Sequence, residues 1–381
     1  MNKIGIDARL YSQTGVGVYL RNLLYFLEKI VKNQLLFYIY LMPEDYDRVQ
    51  FRSSYFVKKK IDYKWHTPGE QIGFAKQLYS DGLDLVHFTY FGYPVVYKKK
   101  FMATIHDATP LFFKTGKAST KPAFLYELKF RAFQFVISQQ VRNAAKIITP
   151  SNTVKRQLIK IYGDSVENKI KTIYEGVNYE LIETDKRHSE DTDFGGGLQN
   201  RFWRPARHVK QGVAFFIYVG NFYPHKNVER LIRAFAKVKT DVKLVLIGPD
   251  DFFAKRLYRY IDITIRGRVI FYHNPLKEDL LFFYKNALAL IHPSLSEGFG
   301  LPLVEAAYFG LPIIASDIAV FQEILEGKYI AFNPQDADDI AEKIKDFLKK
   351  KSTFDYTKIL NKFSFERMAK HTYIFYQQLL A

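Results

Sequence analysis

Short apolar, β-compatible runs alternate with stretches of helical spacing from Lys3 to the C-terminus, and this constrains the fold more than any other feature. Parallel strands need crossover connections, and helices are the usual ones, so the alternation predicts an α/β protein with doubly wound parallel sheets. In the first half the strand-like runs are Lys3–Ala8, Leu35–Leu41, Ile61–Trp65 (with Lys58-Lys59-Lys60 just before it), Leu83–Phe88, Phe101–Ile105 and Ala145–Thr149. Helical spacing covers Val18–Val31, Gly69–Tyr79, Pro122–Val141 and a segment capped at Pro150-Ser151-Asn152 and running to Tyr162. In the second half strands are expected at Phe215–Val219, Lys243–Ile247, Val269–His273, Leu288–Ile291 and Pro312–Ala315. Helices are expected at 228–238, 251–262, 277–286, 302–309, 319–326, 336–349 and 363–380.

A chain of 381 residues favours two domains. We read residues 1–182 as the first and 212–362 as the second, with the last helix (363–381) returning to the first. Residues 183–211 read as a linker with an added loop. They are polar to Asp193, carry Gly195-Gly196-Gly197, and end in Arg201, Arg204, Arg207 and Lys210 around Trp203.

The formal charge is +17 and uneven: residues 1–180 hold 27 basic against 15 acidic side chains, a net of +12, which leaves +5 for the rest. A basic first half implies an anionic partner: nucleic acid, acidic lipid or a phosphate-bearing substrate. Some of the 34 Phe and 27 Tyr adjoin lysines, as in Tyr93-Pro94-Val95-Val96-Tyr97-Lys98-Lys99-Lys100 followed by Phe101. With Lys58-Lys59-Lys60 these suit a peripheral anionic membrane surface; lysines that merely solvate the surface are the plainer alternative. There is no Cys, which excludes disulfides and thiolate metal sites and is compatible with a reducing cytoplasm. No signal-like segment precedes Lys3, and no apolar run reaches spanning length.

Three strand–loop–helix junctions and one strand end carry candidate chemistry. In His292-Pro293-Ser294-Leu295-Ser296-Glu297-Gly298-Phe299-Gly300-Leu301-Pro302, the glycines leave backbone bare and Pro302 suits the start of a helix. The amides of Phe299, Gly300 and Leu301, with Gly298 before them, could meet an anion at the helix N-terminus. Glu297 in the loop and Glu305 in the expected first helical turn add two carboxylates around it, which suits a ligand with hydroxyls on both sides of a phosphate, such as a sugar nucleotide. On the plainer reading the glycines make a turn and Glu305 complements the helix dipole. The opening loop holds Gly15 and Gly17, but Leu20 stands where a dinucleotide fingerprint needs a small residue, so NAD or FAD is not expected. His106-Asp107 ends a strand on the side where open α/β sheets bind ligands. Lys226, in Gly220-Asn221-Phe222-Tyr223-Pro224-His225-Lys226-Asn227, could neutralise a departing diphosphate.

Glu297 and Glu305 with Gly-Phe-Gly-Leu-Pro between them resemble the E-x7-E motif of retaining glycosyltransferases of family 4, which have the GT-B fold. Thr104-Ile105-His106-Asp107 resembles that family's His-Asp element, and Lys171-Thr172-Ile173-Tyr174-Glu175-Gly176-Val177-Asn178 resembles the end of its N-terminal domain. The resemblance covers nearly the whole chain except 183–211. It implies two Rossmann-like domains facing across a cleft, with the terminal helix crossing back to the first. It implies that Glu297 faces the donor sugar, Glu305 holds the ribose, the loop amides meet the diphosphate, and His106 reaches the sugar from the N-terminal domain. Gly15 and Gly17 would pack over the donor phosphates or shape the acceptor cleft. The family commonly has an Arg where this chain has Asn221; Arg230 is a candidate to compensate.

The Pro-His-Lys-Asn run and the Ile-Asp-Ala-Arg opening resemble bacterial mannosyltransferases of surface-polysaccharide assembly. The expected activity is thus hexosyl transfer, with mannose favoured, from a GDP- or UDP-sugar to a glycan or lipid-linked saccharide in cell-surface polysaccharide synthesis. No separate cofactor is expected. No D-x-D element sits after a strand in a way that would hold a metal–diphosphate, and Asp191-Thr192-Asp193, which has the pattern, lies in the linker, so no metal is expected. The expected place is the cytoplasm, peripheral at the inner face of the membrane. A basic nucleic-acid-binding protein, or a GT-B epimerase or phosphorylase, are the alternatives; the Glu pair and His-Asp argue against nucleic acid.

Overall fold

The computed structural model describes residues 1–31, 35–112, 123–193, 212–261 and 263–381. The chain forms two compact units, Met1–Glu175 with Ser364–Ala381, and Gly176–Phe363. Each is built on one parallel sheet.

The first sheet holds β1 (Asn2–Asp7), β2 (Leu35–Leu41), β3 (Phe56–Lys60), β4 (Leu85–Phe88), β5 (Phe101–Thr104), β6 (Lys146–Thr149) and β7 (Ile170–Thr172), in the order β3-β2-β1-β4-β5-β6-β7. Its central strands are apolar on both faces: Ile4, Ile6, Leu85, Val86 and Met102 are fully buried. That is what helices covering both sides require. The helix Val16–Ile30 turns Leu20, Leu23, Leu24 and Leu27 inward, and the terminal helix Phe365–Leu380 packs against it. The return of the last helix to the first unit therefore holds. Ser151 caps the helix Asn152–Tyr162, accepting from Val154 N at 3.2 Å.

The second sheet holds β8 (Phe215–Val219), β9 (Lys243–Gly248), β10 (Val269–His273), β11 (Leu290–His292), β12 (Ile313–Ser316) and β13 (Ile330–Phe332), in the order β10-β9-β8-β11-β12-β13. Strand order reverses between β1 and β4 in one sheet and between β8 and β11 in the other. Open α/β sheets bind ligands outside the carboxyl ends of their strands at such a reversal.

Several local expectations are corrected. Lys58-Lys59-Lys60 do not precede the third strand; they are its last three residues. Lys58 Nζ donates to Tyr46 O and Val49 O at 2.7 Å, and Lys59 pairs with Asp81 at 2.7 Å. The aromatics proposed for a membrane surface are core: Tyr93, Tyr97 and Phe101 are 0%, 1% and 2% exposed. Their rings pack on Phe88, because an aromatic beside a lysine chain still gains more from burial than from an interface. Conversely, the aromatics of the long helix Ala123–Asn143 are not all core, since Phe135 is 56% exposed. Residues 183–193 are helix rather than linker: Tyr179–Asp193 is one element, in the second unit, and Glu180 pairs with Lys277. Asp191-Thr192-Asp193 ends that helix. The rest of the expected linker, 194–211, lies outside the described residues. β13 and a short helix, Thr357–Lys362, were not expected.

Candidate active site

The reversal in the second sheet brings together two segments that lie far apart in sequence. The loop after β8 carries Asn221 to Asn227; the loop after β11 carries Pro293 to Gly300. Asn227 stitches them. It sits in the left-handed region (φ 60°), which Asn tolerates, and its side-chain amide donates to Pro293 O at 3.0 Å and Pro334 O at 2.7 Å. Leu295 N donates to His225 O at 2.8 Å. With both loops pinned, Lys226 Nζ lies 2.6 Å from Glu297 Oε1.

Glu297 is the hub of this site. Besides Lys226, it accepts from Ser294 Oγ at 2.8 Å and from His292 Nε2 at 3.1 Å. Burial alone would raise its pKa, but the Lys226 charge and the His292 hydrogen bond override burial and hold the carboxyl well below its ordinary range. His292, fully buried at the end of β11, lies parallel to the Tyr218 ring at 5.7 Å. Burial lowers its pKa despite Glu297, so the ring is neutral. Because Nε2 faces a carboxylate, it carries the hydrogen, and Nδ1 is a buried acceptor with no protein partner. His225 is half-buried, but its Nδ1 is buried and unpartnered, and desolvation, reinforced by Lys226, lowers its pKa to about 4.

Glu305 is not in the first turn of its helix, Leu301–Tyr308, but a turn further in. Simple dipole complementarity therefore does not place it. It is 7% exposed, and Tyr284 Oη donates to its Oε2 at 2.7 Å. Burial raises its pKa to about 7, with Tyr284 opposing. Gly300 precedes this helix at φ 102° with no side-chain cap, and a Cβ there would come within 3.0 Å of Leu303 and 3.1 Å of Phe321. Only glycine fits both demands. Gly298, Phe299 and Gly300 are buried and Leu301 half-buried at this helix start.

Asn221, in the position expected to hold Arg, accepts from Tyr223 N at 3.4 Å. Arg230, the candidate to compensate, donates through Nη1 to Asn227 Oδ1 at 2.7 Å and Pro334 O at 2.9 Å.

In the first unit, Gly15 precedes the first helix at φ 66°, and Gly17 lies within its first turn rather than before it. A Cβ on Gly17 would meet Tyr11 O at 2.6 Å, so the loop folds directly over the helix start. His106 follows β5 and reaches back toward the β4 loop. Its Nε2 lies 3.0 Å from Thr89 O and its Nδ1 3.1 Å from Glu175. At the end of β1, Arg9 forms a buried triad with Asp7 and Glu70, each at 2.7 Å.

The sequence reading missed His292, Ser294, Tyr284 and Asn227 as site residues. For the first two a signal existed, since they precede Glu297 by five and three residues in the same strand–loop segment. Tyr284 carried none, because only folding sets it against Glu305.

The model of glycosyl transferases group 1 matches residues 199–363, and that of glycosyltransferase family 4 matches residues 14–181. The O-antigen chain mannosyltransferase RfbU of Salmonella typhimurium is 29% identical over 61% of this chain and 56% of its own length. The O-antigen chain mannosyltransferase B of Escherichia coli is 29% identical over 34% of this chain and 35% of its own. The chain thus matches only about half, or less, of these relatives' lengths. Among solved structures, sucrose-phosphate synthase from Thermosynechococcus elongatus superposes with a TM-score of 0.74 at 19% identity, covering 100% of this chain and 99% of that one. HepE from Anabaena, solved with UDP and glucose, gives 0.71 at 14% identity, covering 99% and 100%. With a glycosyltransferase model matching each half and the fold shared along the whole chain, this protein carries a glycosyltransferase family 4 domain and a glycosyl transferases group 1 domain in a GT-B fold.

Proposed function

We propose that this protein is a retaining hexosyltransferase that moves mannose from a nucleoside diphosphate sugar to a saccharide or lipid-linked saccharide in cell-surface polysaccharide synthesis. The observation that carries the reading is Glu297, a carboxylate kept ionised in a buried site by Lys226, His292 and Ser294 at the strand-order reversal of the second sheet. In the reaction the bond from the anomeric carbon to the diphosphate breaks, the acceptor hydroxyl bonds to that carbon on the face the diphosphate leaves, and the hydroxyl proton passes to the departing diphosphate. Positive charge grows at that carbon and negative charge on the diphosphate. Glu297 supports the first electrostatically and is not assigned as a nucleophile. Lys226 has three N–H donors and gives one to Glu297, leaving two for phosphate oxygens. The uncapped helix start at Gly300 adds backbone donors, so these groups take the place of a metal ion. Glu305 accepts from the ribose hydroxyls, and His106 contacts the sugar.

Mannose is favoured because the two O-antigen relatives are named as mannosyltransferases. GDP and UDP donors both fit the site chemistry. No described helix is long and apolar enough to cross a membrane. On the charge of its first half we place the protein in the cytoplasm, at the inner face of the membrane, held through exposed Lys60, Lys98 and Lys99 rather than through the buried aromatics.

The test is a thermal-shift screen of GDP- and UDP-sugars, followed by NMR of the product made with the best donor. A ligand at 100 times its Kd adds about 2.7 kcal/mol of stability. Retained anomeric configuration in a new glycoside is expected. Free isomerised sugar or sugar phosphate would instead make it an epimerase or a phosphorylase. No stabilisation by any donor, with salt-dependent nucleic-acid binding, would overturn the reading.

A further inference from the structure

A chain of buried polar side chains runs through the first unit from the terminal helix to His106. Tyr376, on that helix and fully buried, places its hydroxyl 2.7 Å from His87 Nδ1. His87, on β4 and also fully buried, places Nε2 2.7 Å from Thr104 Oγ1 at the end of β5. Thr104 Oγ1 lies 3.1 Å from the Tyr19 hydroxyl. The Tyr19 ring then meets His106 edge-on, with centroids 4.6 Å apart and planes at 75°. His106 is held on its other sides by Glu175 and Thr89 O.

Burying four polar side chains in an apolar sheet-and-helix core is costly unless each is matched. Here each is, and the arrangement is directional. Burial, with His106 adding to it, lowers the His87 pKa to about 3, so the ring is neutral and has one N–H and one lone pair. A neutral imidazole between two hydroxyls allows two self-consistent proton arrangements. In one, Tyr376 donates to Nδ1 and Nε2 donates to Thr104. In the other, Tyr19 donates to Thr104, Thr104 to Nε2, and Nδ1 to Tyr376. The two bonds of the imidazole reverse together, which couples Tyr376 to Thr104 through His87.

We propose that Tyr376, His87 and Thr104 are positioning residues that fix the Tyr19 ring, and through it the ring of His106, so that seating of the terminal helix sets the orientation of His106. The proposal rests on the reading of His106 as a sugar contact only for its effect on turnover; the effect on the ring itself does not depend on that reading. The residues come from four separate elements, and of them the sequence named only Thr104, beside His106-Asp107.

The experiment uses the full chain with isotope-labelled histidine rings, the His106 signal being assigned by its loss in His106→Gln. Tyr376→Phe and Thr104→Val each break the chain while keeping shape. Each should displace the His106 ring signal, because the ring current of Tyr19 falls on it. Each should lower kcat roughly fivefold, the rate equivalent of one neutral hydrogen bond, with little change in donor KM. In a His106→Gln background, Tyr376→Phe should cause no further loss. An unchanged His106 signal in whichever variants fold, or an undiminished kcat loss in the His106→Gln background, would overturn the relay. Wild-type turnover of His106→Gln itself would instead remove His106 from the site, leaving the relay to be judged on the displaced signal.

Discussion

Replacing Glu305 with Gln should make the protein more stable and a poorer nucleotide binder at once. The folded pKa of Glu305 is raised from 4.5 to about 7, with burial the leading cause. Below about pH 4.5 the carboxyl is protonated in both folded and unfolded chains, and it contributes no penalty. As pH rises toward 7, the unfolded chain releases this proton and the folded chain keeps it. Stability is lost across that window at about 1.4 kcal/mol per pH unit. Above pH 7 both states are ionised and the loss levels off near 3 kcal/mol. Gln keeps an acceptor for Tyr284 Oη but has no charge to bury. Glu305→Gln should thus gain about 1 kcal/mol at pH 5.5 and about 3 kcal/mol at pH 8.5. Since each kcal/mol shifts the melting temperature of a 150–250-residue unit by about 2–4 °C, the variant's advantage should widen by several degrees between those pH values. The assay is thermal unfolding of both proteins across the pH range, alongside nucleotide titration. Wild-type affinity should tighten as pH rises through 7, because the ionised carboxylate is the better acceptor of ribose hydroxyls; the variant should bind weakly at every pH. A stability difference that does not change with pH would refute the buried-charge reasoning. Unaltered nucleotide affinity would refute the ribose role.

Lys226→Ala should lower kcat by about 10²–10³, the scale of one preorganised charge contact, and turnover within about threefold of wild type would remove it as the leaving-group cation. With that charge gone, burial dominates at Glu297, so the acid limb of the kcat profile should move to higher pH; an unmoved limb would refute the pairing. Glu297→Gln should reduce turnover more than nucleotide affinity, the reverse of Glu305→Gln, as paired kcat and Kd measurements would show. Gly300→Ala should destabilise by about 1–3 kcal/mol in thermal unfolding, because its φ of 102° disfavours a side chain and Leu303 and Phe321 crowd the site; a neutral result would mean the helix start can shift freely. Vesicle co-sedimentation should show weak, salt-sensitive binding to anionic vesicles, at about 1 kcal/mol for each of the three exposed lysines, and equal binding to neutral vesicles would leave them a solvated surface.

Alternating runs and glycine loops act over a few residues, so β8, β10 and the helix Lys277–Asn286 fall where spacing alone put them. The same locality exposed the spacing of Glu297 and Glu305 and the loop position of Lys226. Locality also misled. Lysines at 58–60 look unfit for a strand until Lys58 finds the carbonyls of Tyr46 and Val49 and Lys59 the carboxylate of Asp81. Tyr97 beside three lysines reads equally as surface or core, and only packing on Phe88 decides. What spacing could not reach is whatever depends on strand order. The pairing of Lys226 with Glu297 needs β8 to lie beside β11, and the donors to Glu297 matter only once burial removes water from it. The contact of His87 with Tyr376 joins residues 289 positions apart. Apolar periodicity determines which segments are strands and helices, because that is a property of neighbours. Which charges are buried together, and how their protons are held, was decided only when the sheets set distant loops side by side.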